Sequence, residues 1–459
     1  MQDEVRQLPI IQELTAKQKK CMEAHEQREK DGVLSFFTSG PRHTPFVPMI
    51  IKEANGCRFV DLDGNEFIDI AMSYGPLILG HAPDVVVKAV QEAVTRGTSV
   101  VVGHQLEYQL GKLIIDSVAC AEACHFANSG TEATMQAIKM ARAYTGRERI
   151  AKFEGGYHGT HPDVLVSSNL GTERRGPRER PESVLDCPGV CRHITDTTIV
   201  LPRDHEAAFD IIRENAKELA CVILEPVGPG WPKLNIEFLK ELRKVTEEAN
   251  VLLVFDEVVT GFRTCFGGAQ DRWDVVPDMT TFGKIVGGGL PLAAVVGRRD
   301  IMDVAVTSGD PVEDVKTKVH MVGTNVGNIV SCAAGFAQMN YLKENQDTVY
   351  PYLKEQGERL ADEVSSFARE SNLPFRMMGI ESAFIVHFLE DEPEHMRQLE
   401  ENTNLVAGKL LGYYMRRHGI YMSDSHVAFI STAHTPEDID KLISAFKASL
   451  TDMRADGFC

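Results

Sequence analysis

The run Val251-Leu-Leu-Val-Phe-Asp256 constrains this chain more than any other stretch. Its apolar residues do not alternate with polar ones, and the run ends on an acid. Such a pattern reads as a strand buried on both faces, the kind found in parallel sheets. In open α/β sheets ligands sit beyond the carboxyl ends of the strands, which is where Asp256 and Glu257 emerge. From about residue 84 to 330, helical patterns alternate with further apolar runs, the grammar of an α/β domain. Pro83-Asp-Val-Val-Val-Lys-Ala-Val opens a helix, Ile150-Ala-Lys-Phe153 reads as a strand, and Ala220-Cys-Val-Ile-Leu-Glu225 is a strand stopped by Pro226.

A chain of 459 residues is too long for one ordinary core, so subdomains are expected. Residues 1–83 read as an N-terminal segment, with a polar helix over 11–30 and a hairpin turning at Asp63-Gly64-Asn65. Residues 84–335 form the large α/β domain, and 336–459 a smaller α+β unit. In that unit Met415–Met422 and Val427–Thr432 look like strands. Thr435, Pro436 and Asp438 open a final helix in capping-box spacing. The stretch 169–191, rich in Gly, Pro and Arg, is expected to be a long surface loop.

The net charge of −18 argues against nucleic acid or anionic lipid as a general partner, because both need a basic face. Ten cysteines in so long a chain do not suggest a disulfide framework. Cys120/Cys124 and Cys187/Cys191 lack the close spacing of common zinc sites, so no metal is expected. The N-terminus is charged and lacks a hydrophobic signal core, and no segment has the apolar length to span a bilayer. A cytoplasmic location is the expectation.

Three local signals carry chemistry. Ser129-Gly130-Thr131-Glu132 has capping-box spacing ahead of an alanine-lined helix, and a helix start with free N–H groups can seat a phosphate; an ordinary capped helix explains it as well. In Gly155-Gly-Tyr157-His158-Gly159, a tyrosine between glycines at a strand end can lie on a planar ring, and His158 could tune or hydrogen-bond a cofactor. Lys284 stands between Phe282-Gly283 and the triplet Gly287-Gly-Gly289. Asp256 could instead close a Walker B strand. That needs Gly-x4-Gly-Lys-Ser/Thr, and Gly111-Lys112, Gly283-Lys284 and Gly408-Lys409 are each followed by Leu or Ile. Pyridoxal 5′-phosphate needs an amine that forms a Schiff base, an acid for its ring nitrogen and a phosphate seat. Lys284, Asp256 and Ser129–Thr131 supply one of each.

These motifs resemble those of the class III pyridoxal-phosphate aminotransferases: Asn128-Ser-Gly-Thr-Glu-Ala133, Gly156-Tyr-His-Gly159, Glu225-Pro226, Asp256-Glu-Val-Val-Thr-Gly-Phe-Arg263, Gly283-Lys284 and Gly323-Thr324. Within the class, Tyr74-Gly-Pro-Leu-Ile-Leu-Gly-His81 and Ser431-Thr-Ala-His-Thr435 are most similar to glutamate-1-semialdehyde aminomutase and its aminotransferase relatives. The resemblance implies fold type I, a large domain with a mainly parallel sheet plus a small α+β domain, and a homodimer with shared active sites. It implies Lys284 as the Schiff-base lysine and Asp256 as the ring-nitrogen partner, with Val258 and Tyr157 on the two ring faces. Ser129, Gly130 and Thr131 would hold the phosphate, Thr324 would reach it from the neighbouring subunit, and Glu225 would sit near the ring hydroxyl.

The chain departs from the family at Gly327-Asn328-Ile329, where Gly-Asn-Pro is usual, and Ser39-Gly-Pro-Arg42 replaces Ser-Pro-Val-Arg. The Met422–Phe429 stretch is shorter and lacks a glutamate. These changes favour a ping-pong aminotransferase with an amino donor and an oxo acceptor over an intramolecular aminomutase. A non-catalytic binding protein is a further alternative, and the presence of Lys284 counts against it. Arg42 as carboxylate anchor and Tyr74 as pocket wall are the substrate residues expected.

Overall fold

The computed structural model describes residues 2–33, 46–168, 175–228, 230–423 and 426–459. The chain forms two units: one of residues 1–83, 351–392 and 402–459, the other of residues 84–350 and 393–401. In the first, helices Pro9–Lys17 and Lys19–Lys30 precede strands β1 (Ile51–Asn55), β2 (Arg58–Asp61) and β3 (Glu66–Asp69). The expected hairpin is the antiparallel pairing of β2 and β3 about Asp63–Asn65. Asp61 fixes the turn by accepting from the Asp63 and Asn65 amides at 3.0 and 2.8 Å, the local bonding that makes Asp a turn residue.

The larger unit holds a seven-stranded sheet: β4 (Ala123–Ala127), β5 (Arg149–Phe153), β6 (Thr198–Leu201), β7 (Leu219–Leu224), β8 (Leu252–Asp256), β9 (Met279–Phe282) and β10 (Ala293–Gly297), in the order β4-β10-β9-β8-β7-β5-β6. Strands β9, β8, β7, β5 and β6 are mutually parallel. β10 runs against both its neighbours. The sheet is thus mainly parallel, as the apolar runs led one to expect.

Strand β8 shows why its sequence does not alternate. Leu252 and Val254 join a core cluster with Ala133, Ala137, Met140 and Ala141 of the helix Gly130–Thr145. Leu253 and Phe255 join a second cluster, with Ile211 and Ile212 of one helix and Leu239, Leu242 and Val245 of another. Successive strand side chains point to opposite faces, so a strand covered on both faces needs apolar residues at every position. Each such side chain contributes about 1.5–3 kcal/mol on burial. The small residues of Gly130–Thr145 let that helix lie close to the sheet and bring its N-terminus to the carboxyl edge.

The first unit is completed by β11 (Arg376–Ile380), β12 (Ala383–His387), β13 (Ile420–Tyr421) and β14 (Ala428–Phe429). β11, β12 and β14 form a three-stranded antiparallel sheet, and β13 adds in parallel to β3. The strand expected over Met415–Met422 is only this short β13. Met415, Arg416 and Arg417 instead end the helix Leu405–Arg417, which buries Leu410, Leu411 and Tyr414. The physical reason is the 3.6-residue spacing upstream, with Arg416 and Arg417 in the last turn where cations favour the helix dipole. Gly419, at φ +75°, then turns the chain into β13. The final helix begins at Pro436 with both halves of the Thr435/Asp438 capping box formed. Among the described residues no helix is long and apolar enough to cross a membrane.

Candidate active site

The carboxyl edge of the large sheet collects the residues singled out in the second unit. Asp256 is the last residue of β8, buried, and both its oxygens are engaged. Its Oδ1 accepts from the Val258 amide at 3.1 Å and lies 3.4 Å from the Thr281 hydroxyl. Its Oδ2 lies 2.8 Å from Nδ1 of His158. His158 is fully buried, and desolvation pushes its pKa down although the Asp256 carboxylate pulls the other way. Its Nε2 has no partner among the described residues. His158, singled out as able to tune or hydrogen-bond a cofactor, is bonded to Asp256, and such a partner fixes the acid's orientation.

Glu225 follows β7 directly. Burial, and secondly the charge of Asp256, push its pKa up to about 8. Its Oε2 accepts from the Tyr157 amide at 3.2 Å. Tyr157 keeps 55% of its surface exposed, so its ring is not packed in the core. The turn carrying Tyr157 docks on the helix Gly130–Thr145: Thr134 donates to the His158 carbonyl at 2.6 Å, and the Thr160 amide donates to Thr131 Oγ1 at 3.3 Å. Gly159 permits the approach. It sits at φ +103°, and a Cβ there would fall 2.6 Å from Thr131 Oγ1.

At the helix start, Ser129 is the N-cap, its hydroxyl accepting from the Glu132 amide at 3.2 Å. Glu132 reaches back past the cap to the Asn128 amide at 2.8 Å. The amides of Gly130 and Thr131, in the first helical turn, have no intrahelical acceptor, which leaves donors and the positive dipole end for an anion. Val258 is wedged between glycines: a Cβ on Gly130 would meet its methyls at 3.0 Å, and one on Gly283 at 3.2 Å. Two side-chain-free positions thus form a cradle against one valine.

Lys284 follows Gly283 in a left-handed conformation, φ +48°, unusual for a residue with a side chain. It is half-buried. Desolvation lowers its pKa, against the pull of Asp256 and Glu225 and with the push of Arg263. Lowering the pKa of an amine raises the fraction that is a free nucleophile. Thr324 is exposed, and the neighbouring Gly323 approaches Asn128: a Cβ on it would lie 3.7 Å from the Asn128 side-chain nitrogen Nδ2.

Tyr74 belongs to the first unit. It lies in a run of three positive-φ residues, Met72, Ser73 and Tyr74, ahead of Gly75 at φ +115°. Its hydroxyl is 2.9 Å from Ser423 Oγ and its ring centroid 4.2 Å from that of His426. Arg42 lies outside the described residues. Sequence reasoning missed Thr281, whose hydroxyl faces Asp256 from the adjacent strand. It also missed Arg203, whose guanidinium donates to the Glu225 carbonyl at 3.1 Å. The β8/β9 register, which sets Asp256 against Thr281, was the signal for the first. The donor set fits a flat, phosphorylated aldehyde: an anion seat, a glycine-lined slot, a buried acid and a depressed lysine amine.

Comparison with known proteins agrees. The model of the family "Aminotransferase class-III" matches residues 38–449. The chain is 37% identical over 443 residues to a glutamate-1-semialdehyde 2,1-aminomutase of Methanocaldococcus jannaschii, covering 95% of this chain and 98% of that protein. It is 37% identical over 415 residues to the Methanosphaera stadtmanae protein of the same name, covering 88% and 92%. Among solved structures it matches an ω-transaminase from Sphaerobacter thermophilus, with a TM-score of 0.86, 30% identity and 95% and 98% coverage. It also matches a glutamate-1-semialdehyde aminomutase from Pseudomonas aeruginosa PAO1, with a TM-score of 0.85 and coverage of 97% of each chain; at 20% identity that match speaks for the fold alone. The chain belongs to the class III aminotransferases, enzymes of fold type I whose cofactor is pyridoxal 5′-phosphate.

Proposed function

We propose that this enzyme moves an amino group between neighbouring carbons of a small carboxylate-bearing substrate, as a glutamate-1-semialdehyde-type 2,1-aminomutase. The observation that carries the reading is the 37% identity, over 95% of this chain, to a protein of that name. It outweighs the sequence departures that favour an intermolecular aminotransferase.

The roles follow from the site. Lys284 would hold the cofactor covalently, Asp256 would face its ring nitrogen, and Tyr157 and Val258 would flank the ring. Ser129 and the amides of Gly130 and Thr131 would hold the phosphate. When bound, the cofactor supplies an electron-accepting ring to the substrate carbon that carries nitrogen. Lys284, with its pKa lowered by burial, takes the proton from that carbon as general base. His158 keeps the Asp256 carboxylate aimed. Glu225, with its pKa pushed up to about 8, would when protonated donate its carboxyl O–H to an oxygen beside it.

A homodimer completes the proposal. Val101, Val102 and Val322 are 94%, 72% and 93% exposed. The segments carrying them are tied together: Asn328 Nδ2 donates to the Thr98 carbonyl at 2.8 Å, and His104 Nε2 lies 2.7 Å from the Gly327 carbonyl. Exposed valines on these joined segments suit burial by a second copy, and Thr324, two residues from Val322, would reach the neighbour's phosphate seat. A sedimentation experiment at micromolar concentration is expected to return a dimer; a monomer there removes this part of the reading.

One observation favours a second reading, ping-pong transfer from an amino donor to an oxo acceptor: the 30% identity to the Sphaerobacter ω-transaminase over nearly the whole chain. Incubation with glutamate-1-semialdehyde alone separates the two. The mutase reading expects its isomer with the nitrogen on carbon 1, formed without any acceptor. Turnover that appears only when an oxo acid is added favours the transaminase.

The state of Glu225 has its own pH signature. Folded, it keeps its proton up to about pH 8, whereas unfolded it ionises near 4.5. The folded chain therefore holds an extra proton between those values. The contribution is whole below pH 4.5 and is lost as pH rises to about 8. Cofactor-free wild type, measured by urea unfolding, is expected to lose stability relative to Glu225→Gln between about pH 5 and pH 8. A difference that stays constant across that window counts against a neutral Glu225.

A further inference from the structure

The chain enters the large unit a second time, at residues 393–401. This excursion carries the short helix Met396–Asn402, and Lys233 anchors its start by donating to the Pro393 carbonyl at 2.8 Å. Arg397 and Glu400, three apart, share one helix face, and both make ion pairs in the large unit. Arg397 grips Glu154 with a two-pronged bond, Nε to Oε2 and Nη2 to Oε1, each 2.9 Å. Its Nη1 donates to the Gly176 carbonyl at 2.9 Å, and its Nη2 also lies 3.3 Å from the Arg175 carbonyl. Glu400 accepts from Arg175 Nη2 at 2.5 Å, and Arg175 Nε stands 3.9 Å from Glu154 Oε1. The charges alternate along Glu400, Arg175, Glu154 and Arg397, and the side chains are only 11%, 4%, 8% and 15% exposed.

Glu154 is the first residue after β5 and opens the turn that carries Tyr157 and His158. Every residue of that turn is committed: the Glu154 amide donates to the Leu201 carbonyl at 2.9 Å and the Gly155 amide to the Ser167 carbonyl at 2.8 Å. The Tyr157 amide donates to Glu225, and His158 bonds Asp256. A buried carboxylate stripped of its partner turns towards water, because an unpaired buried charge is strongly destabilising. Released, Glu154 would pull on the backbone that sets the Tyr157 ring and the His158–Asp256 bond. A bidentate Arg–carboxylate pair fixes direction as well as distance, and lysine cannot reproduce the fork.

We propose that the helix Met396–Asn402 is a latch on the candidate active site, with Arg397 a positioning residue that sets the Tyr157–His158 turn through Glu154. The inference rests on the reading of that turn as a wall of the cofactor site, and its test separates the two. In the full-length cofactor-free protein, Arg397→Met is expected to speed hydrogen–deuterium exchange in the peptides spanning 154–158 and 175–177. With pyridoxal 5′-phosphate added, the same variant is expected to show a changed visible circular dichroism band per bound cofactor. Its cofactor dissociation constant should rise at least about tenfold, the scale of a lost charge-assisted pair. Arg397→Lys, which keeps the charge without the fork, should show the altered band in part and serves if Arg397→Met does not fold. Glu154→Gln, which loses the fork but carries no charge to turn outward, should alter the band less than Arg397→Met, and the double variant should resemble Glu154→Gln rather than sum the two effects. Exchange in 154–158 and a visible band both like wild type would overturn the latch. So would lower thermal stability with an unchanged band, which marks a merely structural pair. If wild type itself takes up no cofactor, the functional reading fails, while the exchange comparison still decides the latch.

Discussion

The bond between His158 Nδ1 and Asp256 Oδ2, 2.8 Å long and sealed from solvent, is the interaction on which the site depends. A carboxylate at the end of a fully apolar strand is costly unless it is paired or hydrogen-bonded. The chain meets that cost with donors from three directions: His158 from the turn after β5, the Val258 amide from the turn after β8, and the Thr281 hydroxyl from β9. Each comes from a different element, so the acid is held only when β5, β8 and β9 are in register. The fold and the site are in this sense one construction, with the parallel sheet supplying the edge at which the three meet.

Charge is distributed unevenly around that acid. Glu225 is buried close by, and burial together with the charge of Asp256 pushes its pKa up to about 8, towards the neutral form. Lys284 sits in the field of Asp256, yet desolvation dominates and depresses its amine. The left-handed backbone at Lys284 is local strain held in place by its neighbours, Gly283 against Val258 and Gly288 in the next turn. Perturbed groups and a strained lysine at one sheet edge are the physical mark of a reactive centre.

Much of this was legible in the sequence because the relevant signals are local. The non-alternating run at 251–256 announced a doubly covered strand, and the helix start at Ser129, the glycine-flanked Tyr157 and the bend at Lys284 are each written within a few residues. What was not legible depends on distance or on competition. His158 read as a group that could tune or bond a cofactor; only the folded chain brings it to Asp256, nearly a hundred residues on. Arg397 and Glu154 are 243 positions apart, and no local sequence signal links them. Met415–Arg417 read as strand because a short window gives Ile420, Tyr421 and Met422 their weight. The helical spacing of Leu410, Leu411 and Tyr414 wins once the whole segment packs.

The central claim is that one lysine, in a glycine-lined bend facing a fixed acid, carries the cofactor. Borohydride reduction of the cofactor-loaded protein, followed by digestion and peptide mapping by mass spectrometry, addresses it directly. The account expects a reduced pyridoxyl group on Lys284 and on no other lysine, including the buried Lys152 of β5. A pyridoxyl group on a different lysine, or none at all, would contradict it.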